Sequence, residues 1–107
     1  MDLKDLTEEM HRFVEAKGWY AEGSPRPQTP RNLAISLALE ASEVLEHFQW
    51  GDQPGADVEG ELADTALYLL QLASLLRIDL EHAMQDKLEK NYKRDLPAPA
   101  PGSGGPA

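Results

Sequence analysis

Residues 62–76 are apolar around their whole circumference, which is unusual for a helix of a small protein. At about 100° per residue in a helix, their leucines and alanines face every direction rather than one side. A helix of this kind is normally buried, and three neighbouring helices from a chain of 107 residues are too few to cover it. The pattern therefore predicts a helical bundle completed by at least a dimer. The alternative is an exposed apolar patch.

The remaining apolar residues recur at spacings of three and four and predict three more helices. Residues 18–30 contain three prolines and two glycines and are expected to form a loop. Thr29 and Pro30 are typical of a helix N-terminus, and Asp57 and Asp79 are expected to cap the next two helices. The predicted helices span residues 3–17, 30–50, 58–77 and 80–94.

We therefore predict an all-α fold, a four-helix bundle, as one domain over residues 1–96. Residues 97–107 contain only proline, alanine, glycine and serine. A segment with nothing to bury is expected to be disordered, so the sequence predicts a disordered tail after the bundle.

Charge and cysteine content exclude several classes of function. Ten lysines and arginines against nineteen aspartates and glutamates give a net charge of -9, which disfavours binding to long nucleic acids. The absence of cysteine excludes disulfides and thiolate metal sites. The first residues lack an apolar signal-peptide core, and the longest uncharged stretch, 65–76, is shorter than the about 20 residues of a membrane span. We expect a soluble cytoplasmic protein with no membrane partner.

Two pairs of acidic residues carry the main functional signal. Glu40 and Glu43 are three residues apart on the second predicted helix, and Glu61 and Asp64 repeat this spacing on the third, each pair among apolar side chains. Four carboxylates in an apolar surface need cations, and basic side chains are scarce on both helices. The pattern predicts a Mg²⁺ site, because Mg²⁺ prefers oxygen ligands and leaves positions open for substrate phosphates. The alternative is an ordinary solvated helix surface.

Several other residues lie where they could serve such a site. Lys87, Asn91 and Arg94 form one stripe on the fourth predicted helix, which could meet phosphate oxygens or simply face solvent. His47, on the line of the two glutamates, is either a structural histidine or an outer-shell partner of the metal. Trp19, in the proline-rich loop, is either a lid anchor or a base-stacking group.

The motifs and their order together point to a known family. They are Pro30-Arg31-Asn32-Leu33, Leu39-Glu40-Ala41-Ser42-Glu43, Phe48-Gln49-Trp50, Glu61-Leu62-Ala63-Asp64, Tyr68-Leu69, and Lys87 with Asn91. From about Trp19 to Arg94 the chain resembles the MazG-like, all-α nucleoside triphosphate pyrophosphatase superfamily, and within it the dCTP-pyrophosphatase-type branch. The resemblance implies a MazG-like bundle that forms a homodimer or homotetramer.

The resemblance also implies an activity, a cofactor and a set of site residues. The activity is hydrolysis of a nucleoside triphosphate, with dCTP or a modified deoxynucleoside triphosphate as candidates, to the monophosphate and pyrophosphate, as nucleotide-pool house-cleaning. The cofactor is Mg²⁺, with Mn²⁺ as a substitute, and Glu43 could position the attacking water or act as its base. The implied metal ligands are Glu40, Glu43, Glu61 and Asp64, and the implied substrate-binding residues are Asn32, Trp50, Tyr68, Lys87 and Asn91.

Departures from the family pattern leave some questions open. Leu39 stands where many relatives have a second glutamate, and Gln28 stands where the dCTPase-type branch often has histidine. These differences leave the number of metal ions and the preferred base open. The alternative functions are hydrolysis of phosphoribosyl-ATP and a non-enzymatic role as an acidic helical interaction module.

Overall fold

The computed structural model describes residues 1–94, and it is built from α-helices without any strand in that range. The four helices are α1 (Leu3–Ala16), α2 (Pro30–Glu46), α3 (Val58–Leu75) and α4 (Leu80–Lys93). The predicted all-α fold with four helices is therefore confirmed. The end of the predicted domain at residue 96 and the predicted tail, 97–107, lie outside the described residues.

Each predicted capping residue precedes a helix, and all but one of them make the expected hydrogen bond to the first turn. The Thr29 hydroxyl accepts a hydrogen bond from the Asn32 N–H at 3.1 Å, and an Asp79 carboxylate oxygen accepts one from the His82 N–H at 3.1 Å. Asp57 precedes α3 as expected but makes no side-chain cap. Its backbone is left-handed, with φ of 64°, and its carboxylate lies against Gly60 in the first turn without accepting a hydrogen bond there.

The second helix ends earlier than the sequence predicted. We expected it to reach about Trp50, but the α-helix stops at Glu46. The N–H of His47 bonds to the carbonyl of Val44, and that of Phe48 to Leu45, so the chain tightens into bonds between residues three apart. Trp50 therefore lies beyond the helix on which the prediction placed it, whereas His47 directly follows the last residue of α2.

Helices α2 and α3 form the centre of the molecule and run antiparallel. Gln28, just before α2, bonds to Gln71 near the end of α3, whereas His47, just after α2, bonds to Glu61 near the start of α3. Helix α1 packs against α3, and α4 contacts the rest mainly through α3 without burying any residue. The buried apolar core consists of Met10, Val14, Leu33, Leu70 and Ala73.

Much of the apolar surface of α3 stays exposed in the single chain. Only Leu70, Gln71 and Ala73 of this helix are buried, while Leu62 and Leu69 are exposed. One chain is thus too small to cover α3, as the sequence analysis argued, and the dimer expected to cover it stays a prediction. None of the helices in the described range is long and apolar enough to cross a membrane.

Candidate active site

Helices α2 and α3 bring the four predicted carboxylates into one neighbourhood. Glu40 and Glu43 lie one turn apart on α2, and Glu61 and Asp64 lie one turn apart on α3. The negative charges of the other three carboxylates each help to raise the pKa of Glu40. The two acidic pairs thus lie near enough for their charges to interact, and their role as a metal site stays a prediction.

Glu40 occupies the least favourable position for a carboxylate. Desolvation is the largest cause of its raised pKa, and the charge of Glu43 is the next. Its Oε2 atom is enclosed and has no hydrogen-bond partner in the described part of the chain. An enclosed carboxylate oxygen without a donor is costly, so this atom favours a proton or a cation.

The carboxylates are neighbours without forming a finished ligand shell. Within residues 1–94, no group of three or more His, Asp or Glu side chains is gathered closely enough to hold a metal ion as it stands. One reason is that the Glu61 carboxylate is turned toward His47, whose Nε2 lies 2.5 Å from Glu61 Oε2.

A cavity of about 440 Å³ opens beside two of the carboxylates, Glu40 and Asp64. Asn32 and Tyr68, both predicted as substrate-binding residues, also line it. The opposite wall is formed by aromatic and apolar side chains of α1 and the following loop, including Trp19. The cavity therefore joins an acidic end to an aromatic end, and its size is typical of small-molecule sites.

The aromatic end is held together by contacts around Trp19. Phe13 meets Trp19 edge to face, with ring centroids 5.6 Å apart, and the Arg26 guanidinium lies 4.3 Å from the centre of the Trp19 ring. All three side chains line the cavity. Trp19 is thus a fixed wall of the cavity, and Arg26 adds a cation that the sequence analysis did not single out.

A chain of hydrogen bonds, which we call the amide network, fixes the loop over the cavity. The buried Gln71 amide, 3% exposed, donates to Gln28 Oε1 at 2.8 Å and to the Tyr20 hydroxyl at 3.2 Å. The hydroxyl in turn lies 2.6 Å from His11 Nδ1, and His11 Nε2 lies 2.7 Å from the Ser74 hydroxyl. Burial raises the pKa of Tyr20, so its phenol stays protonated and able to donate.

The sequence analysis missed the amide network for a physical reason. Its members are 9 to 63 residues apart in the chain, and nothing in their spacing predicts contact. One signal was present, since Gln71 is the only polar residue between Tyr68 and Ser74 on an otherwise apolar stretch. A polar residue on a buried face needs a partner, and that need could have directed a search for one.

The other two predicted ligands lie on a second cavity of about 680 Å³. It is lined by Glu43, Glu46, Glu61, His47 and Trp50 together with the loop that joins α2 to α3. Trp50 lies at the edge of this cavity and is 91% exposed. The four carboxylates thus divide into two pairs, with Glu40 and Asp64 on the first cavity and Glu43 and Glu61 on the second.

The predicted cationic stripe of α4 is not part of either cavity. Lys87, Asn91 and Arg94 line neither the first nor the second cavity in the single chain. Their predicted contact with substrate phosphates therefore stays a prediction.

Comparison with known proteins identifies the family. The MazG nucleotide pyrophosphohydrolase domain matches residues 28–97. The chain is 37% identical over 103 residues to dCTP pyrophosphatase 1 of Bos taurus and of Homo sapiens, covering 86% of this chain. The matches cover 58% of the length of those relatives.

A solved structure agrees with the sequence matches. The crystal structure of a pyrophosphatase from Archaeoglobus fulgidus DSM 4304 superposes with a TM-score of 0.71 and 31% identity, covering 89% of this chain and 93% of that one. The resemblance deduced from the motifs is confirmed by these matches. The chain belongs to the MazG nucleotide pyrophosphohydrolase domain family.

Proposed function

We propose that the protein hydrolyses a nucleoside triphosphate to the monophosphate and pyrophosphate, in the presence of Mg²⁺. The observation that carries the proposal is the first cavity, which has aromatic walls at one end and Glu40 and Asp64 at the other. A nucleotide has the same two-part character, with a flat base at one end and a charged phosphate chain at the other. Similarity to dCTP pyrophosphatase 1 supports dCTP or a modified deoxynucleoside triphosphate as the substrate, and nucleotide-pool house-cleaning as the role.

The donor set suits a hard divalent cation. Glu40, Glu43, Glu61 and Asp64 offer only carboxylate oxygens, which Mg²⁺ prefers and Mn²⁺ also accepts. The enclosed Oε2 of Glu40, which has no hydrogen-bond partner within residues 1–94, supports a cation at this place. Bound there, the ion would polarise phosphoryl oxygens and lower the pKa of a water molecule.

Other side chains near the carboxylates would bind the substrate and orient the attacking water. The base would lie against Trp19 and Phe13, where flat faces stack well. Asn32, whose side-chain N–H donates to the Pro27 carbonyl at 3.0 Å, would hold the loop against the substrate. Glu43 is exposed and free to orient the attacking water or take its proton. The water oxygen bonds to the α-phosphorus, the bond from that phosphorus to the bridging oxygen breaks, and pyrophosphate leaves.

We further propose that the working form is a homodimer or homotetramer. Apolar side chains on α3 and α4 are exposed, among them Leu62, Leu69, Met84 and Leu88, and a second copy of the chain could bury them. A second copy covering this surface could also bring Lys87, Asn91 and Arg94 to the phosphates of a neighbouring site. The cytoplasmic location expected from the sequence stays a prediction.

A substrate panel tests the proposal. The protein is incubated with Mg²⁺ and each common or modified deoxynucleoside and ribonucleoside triphosphate, and with phosphoribosyl-ATP, and pyrophosphate is assayed. We expect pyrophosphate and monophosphate in equal amounts, with a deoxycytidine nucleotide among the best substrates. The Asp64→Asn protein, purified identically, controls for contaminating hydrolases. Release of orthophosphate and diphosphate instead would overturn the proposed reaction.

A further inference from the structure

His47 is held against Glu61 by geometry that the proposed reaction does not yet explain. Its side chain is 10% exposed, and its Nε2 lies 2.5 Å from Glu61 Oε2. In the tautomer that carries its proton on Nε2, the imidazole donates this hydrogen bond to the carboxylate. The bond joins the residue that follows α2 to the first turns of α3.

The loop between these helices holds the imidazole from the other side. A Cβ atom at Gly55 would lie 3.1 Å from His47 Nδ1 and 3.6 Å from its Cε1, so the backbone of the loop packs directly on the ring. The ring is thus confined between Gly55 and Glu61. Its position is set by the loop, and the position of the Glu61 carboxylate is set by the ring.

This hydrogen bond fixes the Glu61 side chain and leaves it able to bind a cation. A carboxylate has about four acceptor positions on two oxygens, and His47 uses one position on Oε2. Glu61 lines the second cavity together with Glu43, so its other acceptor positions can serve a cation there. A free glutamate side chain loses rotamer freedom when it binds an ion, whereas a glutamate already held by a hydrogen bond has less to lose.

We propose that His47 is a positioning residue, whose imidazole N–H fixes the Glu61 carboxylate beside Glu43 for a divalent cation. The inference rests on the proposed function in that it takes Glu61 as a metal ligand. Outer-shell hydrogen bonds to ligating carboxylates typically contribute about 10-fold to 100-fold in metal affinity. His47 acts through Glu61 and touches neither substrate nor cation.

Calorimetric titration with Mn²⁺, without nucleotide, tests the role independently of activity. His47→Leu keeps the bulk and removes the donor, and we expect it to weaken Mn²⁺ binding by about tenfold or more. His47→Gln places an amide N–H at a similar reach and should restore most of the affinity. His82→Leu removes an exposed histidine of α4 and should bind like the parent. In a Glu61→Gln background, adding His47→Leu should make no further difference.

A second variant keeps the test decisive if His47→Leu fails to fold. Gly55→Ala leaves His47 and Glu61 in place but crowds the ring, and it should weaken Mn²⁺ binding by less than His47→Leu does. Parent-like affinity in both His47→Leu and Gly55→Ala would overturn the role, and so would an equal loss in His47→Gln and His47→Leu. If the expected affinities are found but the parent hydrolyses no nucleotide, the proposed reaction fails and the positioning role stands. If the parent binds no Mn²⁺, both fail.

Discussion

The two ends of the α2–α3 pair are held together by different kinds of hydrogen bond. At one end, the amide network joins side chains of the loop, α1 and α3 through the buried Gln71. At the other end, a hydrogen bond joins His47 to the Glu61 carboxylate, and both residues line an open cavity. The first end includes no carboxylate, whereas the second includes one that can also bind a cation.

The difference indicates which end serves structure and which serves the site. The hydrogen bonds that Gln71 donates to an amide oxygen and a hydroxyl involve no carboxylate for which ions could compete, so they suit a scaffold. A hydrogen bond to a carboxylate on an open cavity contributes little to stability, because water and ions compete for the carboxylate. We infer that the amide network sets the shape of the first cavity. The carboxylates destabilise the fold, and they are present because the function needs them.

The largest expected effect is on catalysis at the carboxylate end. Changing any one of the four acids to its amide keeps the shape and removes the charge, so kcat/KM should fall by about a hundredfold or more, about 2.7 kcal/mol. The variants are Glu40→Gln, Glu43→Gln, Glu61→Gln and Asp64→Asn. Steady-state kinetics measures the loss, and Glu59→Gln, which changes an exposed residue of α3 that lines neither cavity, is the matched control. An equal loss in the control would show that the four acids act no differently from other surface charges.

Magnesium should stabilise the folded protein through the same four groups. At about 100 times Kd, one site that exists only in the native state adds about 2.7 kcal/mol. For a domain of this size, that is a rise of roughly 10 °C in Tm by differential scanning fluorimetry, less if an oligomer unfolds as one unit.

General screening of a chain of net charge -9 must be separated from binding. The Glu43→Gln, Asp64→Asn double variant keeps a net charge of -7, so it retains most of the screening while losing two ligands. We expect a strong Mg²⁺-dependent shift in the parent and a weak one in this variant. Equal shifts would mean that the stabilisation is bulk electrostatics and that the four groups form no site.

Local spacing predicted the carboxylate end better than the amide end. Glu40, Glu43, Glu61 and Asp64 could be placed on facing surfaces because residues three apart on a helix share a face, whatever the rest of the fold does. The caps at Thr29 and Asp79 were predictable for the same local reason.

The features that the sequence did not predict depend on tertiary contacts or on backbone conformation. The helix end at Glu46 and the left-handed Asp57 arise where the chain turns into a loop, and residue type alone does not fix φ there. Gln71 meets Gln28 across 43 residues, a distance over which periodicity carries no information. The side chains that complete the first cavity were therefore found only in the structure.

Breaking the amide network should cost stability rather than metal affinity. Gln71→Leu leaves Gln28 and the Tyr20 hydroxyl without their donor, and an unpaired buried polar group costs about 1–3 kcal/mol. Chemical denaturation measures the loss, with Gln49→Leu, at an exposed position, as the control. Mn²⁺ affinity should stay close to that of the parent. A loss of Mn²⁺ affinity without a loss of stability would reverse the roles assigned to the two ends.

The smallest expected effect is a gain in stability from removing a catalytic charge. The pKa of Glu40 is raised above 4.5 in the folded protein, first by desolvation and then by the charge of Glu43. Between the ordinary and the raised pKa, the native state holds more protons than the unfolded state, so stability falls as pH rises through this window. In EDTA, the Tm of the parent should therefore fall more steeply above pH 4.5 than that of Glu40→Gln.

At neutral pH without metal, the Glu40→Gln protein should consequently be the more stable of the two. Adding Mg²⁺ should reverse the order, because the parent gains a ligand charge that the variant lacks. Glu46→Gln, which removes an exposed charge, should follow the parent at every pH. Parallel pH profiles for Glu40→Gln and the parent would mean that the enclosed carboxyl costs the fold nothing. In that case the carboxylate end would be as much a scaffold as the amide end.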